Sequence, residues 1–293
     1  MKLTTIFCVI DDFCKDFEKE TEKYFLIDLQ RRRRKRKSRL SKSEVLTILI
    51  YFHHSHYRTF KEYYNVHIRF FLKDAFGSLV SYNRFIELAQ KVALPLLVFS
   101  YAFNVQEDNI YFIDSFVLRA CNNKRIYSHQ VLKGVAARGK SSMGWFFGLK
   151  FHFIVNSYGE MVNFLLTPGN ISDKNKRVVN FLTAGCSGRL FGDKGYISSL
   201  LFKDLFNKGL KIVTGIRKNM KNRLMDLTDK LLLRRRGVIE SVGNIMKNFH
   251  QIEHSRHRSV LGFLINAFSA VSAYHLKSQK PSIYLKNATY LPS

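Results

Sequence analysis

Ile6, Ile10, Phe13, Phe17 and Tyr24 recur three or four positions apart, with acids between them. That spacing is one face of an α-helix and predicts helix through most of the first thirty residues. Ser41-Lys42-Ser43-Glu44 has the form of a capping box opening an apolar helix from Val45 to Phe52. Shorter helical patterns follow near Thr59 to Tyr64 and Asn83 to Leu94, the latter stopped by Pro95. After residue 105 the period changes from 3.6 to 2. Asn109 to Leu118, Trp145 to Val155 and Glu160 to Leu166 alternate as strands and predict an antiparallel meander. Thr167-Pro168-Gly169-Asn170 suits a type II turn with Gly169 at positive φ.

Ser172 is expected to cap a helix through Leu182. A short strand, Arg189 to Phe191, ends at Gly192-Asp193. Another helix, a strand from Lys211 to Thr214, a long helix from Arg236 to Phe249 and a last helix from Ser259 to Leu276 complete the set. The order β-β-β-α-β-α-β-α predicts a mixed α/β, RNase H-like domain over 106–278. A helical region, 1–105, precedes it, and a tail, 279–293, follows. Three short helices with a basic and aromatic surface suit a helix-turn-helix-like DNA-binding module.

Charge narrows the function. Lys and Arg number 48 against 22 Asp and Glu, a formal net charge of +26 with a pI near 10.0. A folded chain this basic repels itself unless its partner is anionic, which disfavours a small neutral metabolite as sole partner. Arg31 to Lys37 is seven consecutive cations, too charged to pack and suited to an arm on phosphates. Cys8, Cys14, Cys121 and Cys186 form no C-x-x-C pair, which argues against structural zinc or a disulfide framework and fits a reducing interior. No signal-peptide pattern is present, and the longest apolar run, Leu261 to Leu276, falls short of a bilayer span.

Three carboxylates stand out. Asp114 lies mid-strand among aromatics, where an ionised carboxylate needs a hydrogen bond, a cation or a metal; alone it also reads as an edge residue. Asp193 closes a strand between small residues; alone it reads as a turn. Glu240 shares a helix face with Arg236 and Lys247 at spacings of four and seven; alone it reads as half of a salt bridge. In an RNase H-like sheet the first strand is central and the fourth lies beside it, so all three acids would converge where hard divalent cations find oxygen ligands. Two such cations can activate an attacking oxygen and stabilise a leaving one in phosphodiester cleavage.

At these residues the chain resembles bacterial insertion-sequence transposases of the Asp-Asp-Glu class and is most similar to the insertion-sequence 982 family. The matching strings are Ile113-Asp114-Ser115-Phe116, Gly134 to Lys140, Thr167 to Asn170, Phe191 to Tyr196, Ile216 to Asn222 and Gln251 to Arg258. The resemblance implies an RNase H-like catalytic domain with Asp114, Asp193 and Glu240 as ligands of two Mg²⁺ ions, Mn²⁺ being able to substitute. It implies cleavage of transposon ends and transfer of the 3′-hydroxyl strand. A Tyr-x2-Arg-x3-Glu-x6-Lys signature is met by Arg236, Glu240 and Lys247, but Leu233 holds the Tyr place.

Arg236 and Lys247, with Lys194, Arg138, Lys140, Arg217, Lys218, Arg256 and Arg258 in the matching strings, would contact DNA. The partners implied are terminal inverted repeats and target DNA, with no membrane and a homodimer or larger assembly on DNA, in the bacterial cytoplasm at the nucleoid. A metal-dependent endonuclease of the same fold and a non-catalytic DNA-binding remnant are the alternatives.

Three further signals are ambiguous. Gly134 to Ser141 matches the P-loop pattern letter for letter, yet an alternating strand rather than a helix follows, so a basic loop touching DNA fits better. His250, Glu253, His254 and His257 sit at helical spacing, beside arginines that disfavour a metal ion. Tyr196 and Trp145 stand beside cations and could stack on an unpaired base.

Overall fold

A computed structural model describes residues 2–25, 38–216, 225–253 and 257–284. The arm 31–37, Arg217, Lys218, His254 and Arg256 lie outside the described residues. The chain divides into two compact units, residues 1–103 with 246–278 and residues 104–245 with 279–293.

The first unit is helical. Helix α1 (Leu3–Phe25) buries Ile6, Ile10 and Cys14. Helix α2 (Lys42–Phe52) opens on the expected capping box: Glu44 N–H donates to Ser41 Oγ at 3.1 Å and Ser41 N–H to Glu44 Oε2 at 2.6 Å. The single turn α3 (Phe60–Glu62) runs into a π-helical stretch, Tyr63–Phe71. Helices α4 (Tyr82–Lys91) and α5 (Ala93–Tyr101) come next. The helix expected to run to Leu94 ends at Lys91, with a turn at Val92, and Pro95 belongs to the next helix. It sits in the first turn of α5, where a backbone N–H has no intrahelical acceptor to lose. The last helix of the chain, Val260–Leu276, places Ile265, Ala273 and Leu276 in the same core as α1, α2 and α5. Its contacts are therefore with the N-terminal helices.

Histidines hold part of this unit together. His53 Nδ1–H donates to the carbonyl of His250 at 2.5 Å, and His250 Nδ1–H donates to the carbonyl of His53 at 3.0 Å. Both rings are buried. The segment from His250 is not helical, so the helical spacing expected for His250 and Glu253 is not realised.

The second unit is built on a six-stranded mixed sheet. Its strands are β1 (Ile110–Cys121), β2 (Ala137–Ser141), β3 (Gly144–Asn156), β4 (Met161–Pro168), β5 (Gly188–Gly192) and β6 (Leu210–Thr214). β1 is central, antiparallel to β3 and parallel to β5, and β5 is parallel to β6. β2 and β4 pair with successive stretches of β3. Helices α6 (Lys176–Leu182), α7 (Ser199–Phe206), α8 (Leu227–Arg234) and α9 (Gly237–Asn244) complete the unit; the terminal helix of the chain is α10.

Four local expectations are corrected. The loop expected at Gly134 to Ser141 contains strand β2, so the P-loop arrangement is absent there. Asn175, not Ser172, caps α6, its side chain accepting from the N–H groups of Arg177 and Val178. Gly169 is not at positive φ. It is glycine because of close approach: an added Cβ would lie 2.7 Å from Ala137 O and 2.9 Å from Gly148 O. Finally, the helix expected from Arg236 to Phe249 is α-helical only to Asn244 and π-helical from Ile245 to Phe249. A π turn breaks the 3.6-residue period, so the eleven-residue register from Arg236 to Lys247 does not carry.

At Gly148 of β3 the backbone of β1 leaves no room for a side chain. A Cβ there would meet Leu118 O at 2.1 Å and Ala120 N at 3.1 Å, both backbone atoms of β1. No side chain can swing aside. Gly148→Ala is expected to destabilise by about 3 kcal/mol, read as a melting temperature lower by roughly 10 °C. Gly77→Ala, which meets nothing within 4 Å, is expected to leave it nearly unchanged.

Candidate active site

Strand β1 carries Asp114 on the sheet face that α9 covers. Asp114 and Phe116 point to one side of the pleat, as do their partners Phe153 and Phe151 on β3. A Cβ on Gly243 of α9 would lie 3.7 Å from Phe153 and 3.8 Å from Phe116. Glu240 is one turn earlier on that helix and exposed. Val238, Ile239 and Val242 are its buried neighbours.

Asp193 reaches the same place from β5. The parallel ladder with β1 ends at Phe112 and Phe191; Asp114 and Asp193 each lie two residues past that pair, and Asp193 acts on the Asp114 carboxyl. The chain leaves the sheet there, in a short 3-10 turn, Lys194–Tyr196, closed by Tyr196 N–H donating to Asp193 O at 3.0 Å. Lys194 lies across Gly215 at the end of β6.

Arg236 stands among the acids. Its guanidinium donates to Glu240 Oε1 at 2.5 Å and lies 3.9 Å from Asp114 Oδ2. Burial pushes the Asp114 carboxyl above the usual carboxylate range. The Ser115 N–H, donating to Asp114 Oδ1 at 2.8 Å, and Arg236 pull it back down, while Glu240 and Asp193 push it up. Asp114 thus senses both other acids.

As folded, no three Asp, Glu, His or Cys among the described residues are grouped closely enough to hold a metal ion. The donor set nevertheless fits a hard divalent cation. It is all carboxylate oxygen, the Asp114 carboxyl is desolvated, and a guanidinium answers two of the three.

A second network, on the opposite face of β1, has no local signature along the chain. Ser115 Oγ donates to Asp173 Oδ1 at 2.7 Å, and Lys150 Nζ reaches the same oxygen at 3.2 Å. His152, fully buried, bonds Thr167 Oγ1 at 2.9 Å through Nε2 and lies 3.8 Å from Asp173 through Nδ1. Burial lowers its pKa to about 4 despite Asp173. Asp173 thereby fixes the residue whose N–H holds the Asp114 carboxylate. The pairing of Ser115 with His152 and of Lys150 with Thr167, followed by the turn of the chain after β4, brings these residues together.

Of the other predicted cations, Arg138 and Lys140 lie on β2 over the Trp145 ring. Lys247 and Arg258 belong to the helical unit. Tyr196 is 3% exposed and cannot stack on a base as it stands.

A family model described as a transposase DDE domain matches residues 104–260, more than half of the chain. The chain belongs to the DDE-domain transposases. No curated protein matches the sequence of this transposase. Among solved structures, a piggyBac transposase synaptic complex with hairpin DNA is 12% identical, over 85% of this chain and 69% of that one, with a TM-score of 0.49. The Mos1 mariner paired-end complex with Mn is 12% identical, over 92% and 88% of the two chains, with a TM-score of 0.24. The Mos1 strand transfer complex is 11% identical, over 89% and 85%, with a TM-score of 0.23. Likeness this distant leaves the family membership of the transposase resting on the domain match. Among its described residues no helix is long and apolar enough to cross a membrane.

Proposed function

We propose that this is a transposase of the insertion-sequence 982 family that cleaves transposon ends and joins the freed 3′-hydroxyl strand to target DNA. The observation that carries the proposal is that Asp114 feels the charges of both Asp193 and Glu240, with Arg236 set between Asp114 and Glu240, within a DDE domain. The sheet order β4-β3-β1-β5-β6 supports an RNase H-like fold for the catalytic region, placed at 106–278, with 1–105 binding the terminal inverted repeats and 279–293 as a tail.

Asp114, Asp193 and Glu240 would hold two Mg²⁺ ions, or Mn²⁺ in their place. When bound, these supply a lowered pKa at the attacking oxygen and charge stabilisation at the leaving one. Arg236 neutralises two of the acids in the free protein and would turn to a backbone phosphate as the ions take its place. Lys194, Arg138, Lys140, Lys247 and Arg258, with Arg217, Lys218, Arg256 and the 31–37 arm, would hold the strands by their phosphates. The working form would be a dimer or larger assembly on DNA in the cytoplasm.

The test is incubation of a labelled inverted-repeat end and a target plasmid with Mg²⁺, comparing wild type with Asp193→Asn. Nicked ends plus joined product, both lost in Asp193→Asn, are expected. Nicks without joining indicate an endonuclease; binding without any metal-dependent product indicates a DNA-binding remnant. Equal nicking by the two proteins would overturn the carboxylate assignment. End binding should weaken about a thousandfold or more between 50 and 200 mM salt if six or more phosphates are contacted.

A further inference from the structure

We infer that the β2–β3 hairpin is a grip for single-stranded DNA, in which the Trp145 indole stacks on an unpaired base and Arg138 and Lys140 hold the flanking phosphates. The inference takes from the preceding proposal only that the substrate is DNA.

The hairpin is an outrigger of the sheet. The last pair between β1 and β3 is Cys121 with Phe147. Beyond it Trp145 and Phe146 pair only with Lys140 and Gly139 of β2. One side of this ribbon is anchored: Phe146 is 2% exposed, and Gly139 fits so closely that a Cβ would lie 2.1 Å from Gly169 O. The other side is open. Trp145 is 52% exposed, and Met143 at the tip is 83% exposed. The Arg138 guanidinium lies 5.1 Å and the Lys140 ammonium 5.8 Å from the indole centroid.

Charge around the ribbon has one sign. From Ser115 to Gly159 the sequence contains no acid but carries Arg119, Lys124, Arg125, Lys133, Arg138, Lys140 and Lys150. Among the described residues only Lys150 of these is paired with a carboxylate. Such a surface calls for a polyanion.

The aromatic group decides which form of polyanion. A duplex shows phosphate and sugar outward and keeps its π faces stacked inside, so an exposed indole and a thioether would gain little against it. A strand with unstacked bases offers a face to the indole and phosphates to the flanking cations. Trp145 lies eight residues along β3 from Phe153, the partner of Asp114, which is about 25 Å at strand rise. That is roughly the length of seven base pairs. The unpaired base would therefore lie well away from the phosphate at the carboxylates, in flanking or opened DNA.

Trp145 is the only tryptophan in the chain, so intrinsic emission reports on the ribbon alone. The full-length protein, without metal, is titrated with a short oligothymidylate, a blunt duplex of equal length and phosphatidylglycerol vesicles. Emission is expected to fall by more than half with the single strand and little with the duplex. By labelled-DNA anisotropy, Trp145→Ala should weaken single-strand binding about tenfold or more and duplex binding much less, with Trp145→Phe retaining most of the single-strand affinity. Equal quenching by duplex would reduce the ribbon to a phosphate contact and overturn the proposal. So would an unchanged spectrum with DNA, or a blue shift with vesicles only. Asp193→Asn should retain the quenching, so failure of catalysis and failure of the grip are read separately.

Discussion

Asp114→Asn is expected to abolish metal-dependent nicking, by on the order of a thousandfold or more, while making the protein harder to melt. The two effects have one cause. Burial raises the Asp114 carboxyl above its ordinary range, so the folded state holds that proton more tightly than the unfolded chain. Stability then falls as pH rises through the window above the ordinary carboxylate value, and the ionised group is a liability at neutral pH. Replacing it with an amide of the same shape removes the liability, a gain on the order of 1 kcal/mol, visible as a few degrees in melting temperature at pH 7 and fading towards pH 4. A structural carboxylate behaves in the opposite way. Asp229 is 2% exposed and answers Lys211 at 2.7 Å and Arg189 at 3.3 Å; Asp229→Asn should lower the melting temperature. If Asp114→Asn melts lower as well, the site is not built at the expense of the fold.

Acid should loosen the protein well above the pH at which carboxylates protonate. His53 and His250 are buried as neutral rings, and burial lowers each to about 3; His54 and His152 are lowered, for the same reason first, to about 4. The groups acting on the first three include His54, His56, His257, Lys277, the Asn266 backbone and each other, and no carboxylate is among the causes. Only His152 has one, Asp173. The unfolded chain takes up these protons near pH 6.5 and the folded one does not, so stability is lost as pH falls from about 6.5 towards 4. By pH 5 each fully buried ring contributes a loss on the order of 2 kcal/mol. The melting temperature should drop by at least roughly 10 °C between pH 7.5 and 5.0. His250→Asn, which keeps an N–H near the Nδ1 position, should flatten that slope. A melting temperature unchanged to pH 5 would show that the rings open to solvent.

What could be read along the chain followed from local chemistry. The capping box at Ser41, the helix at α1, the central strand around Asp114 and the strand ending at Asp193 all announce themselves through spacing and turn residues. The misses share a different cause. β2 is five residues, Ala-Arg-Gly-Lys-Ser, with no apolar alternation; it is a strand because β3 supplies its hydrogen bonds. Gly169 reads as a turn glycine but is fixed by two neighbouring backbone carbonyls, of Ala137 and Gly148, and the Phe146 ring. Pro95 closes no helix: the break falls at Val92, and Pro95 sits in the first turn of α5, where it costs no hydrogen bond. At the candidate site, the acids were legible because each interrupts an apolar run. Asp173 was not, since its tie to Ser115 crosses 58 residues of chain and exists only once β1 and β3 are paired.

Helix α10 shares its core with α1, α2 and α5, yet about 160 residues separate Phe103 from Val260. During synthesis at 5–20 residues per second, the N-terminal helices would wait roughly 10–30 s for their last packing partner. The intervening segment meanwhile has all the strands of its own sheet in hand. A ribosome-bound nascent chain would thus expose apolar helical surface beside a finished sheet, and a message cut short before α10 would yield a sheet without a completed helical core, a form that chaperones and proteases are equipped to recognise.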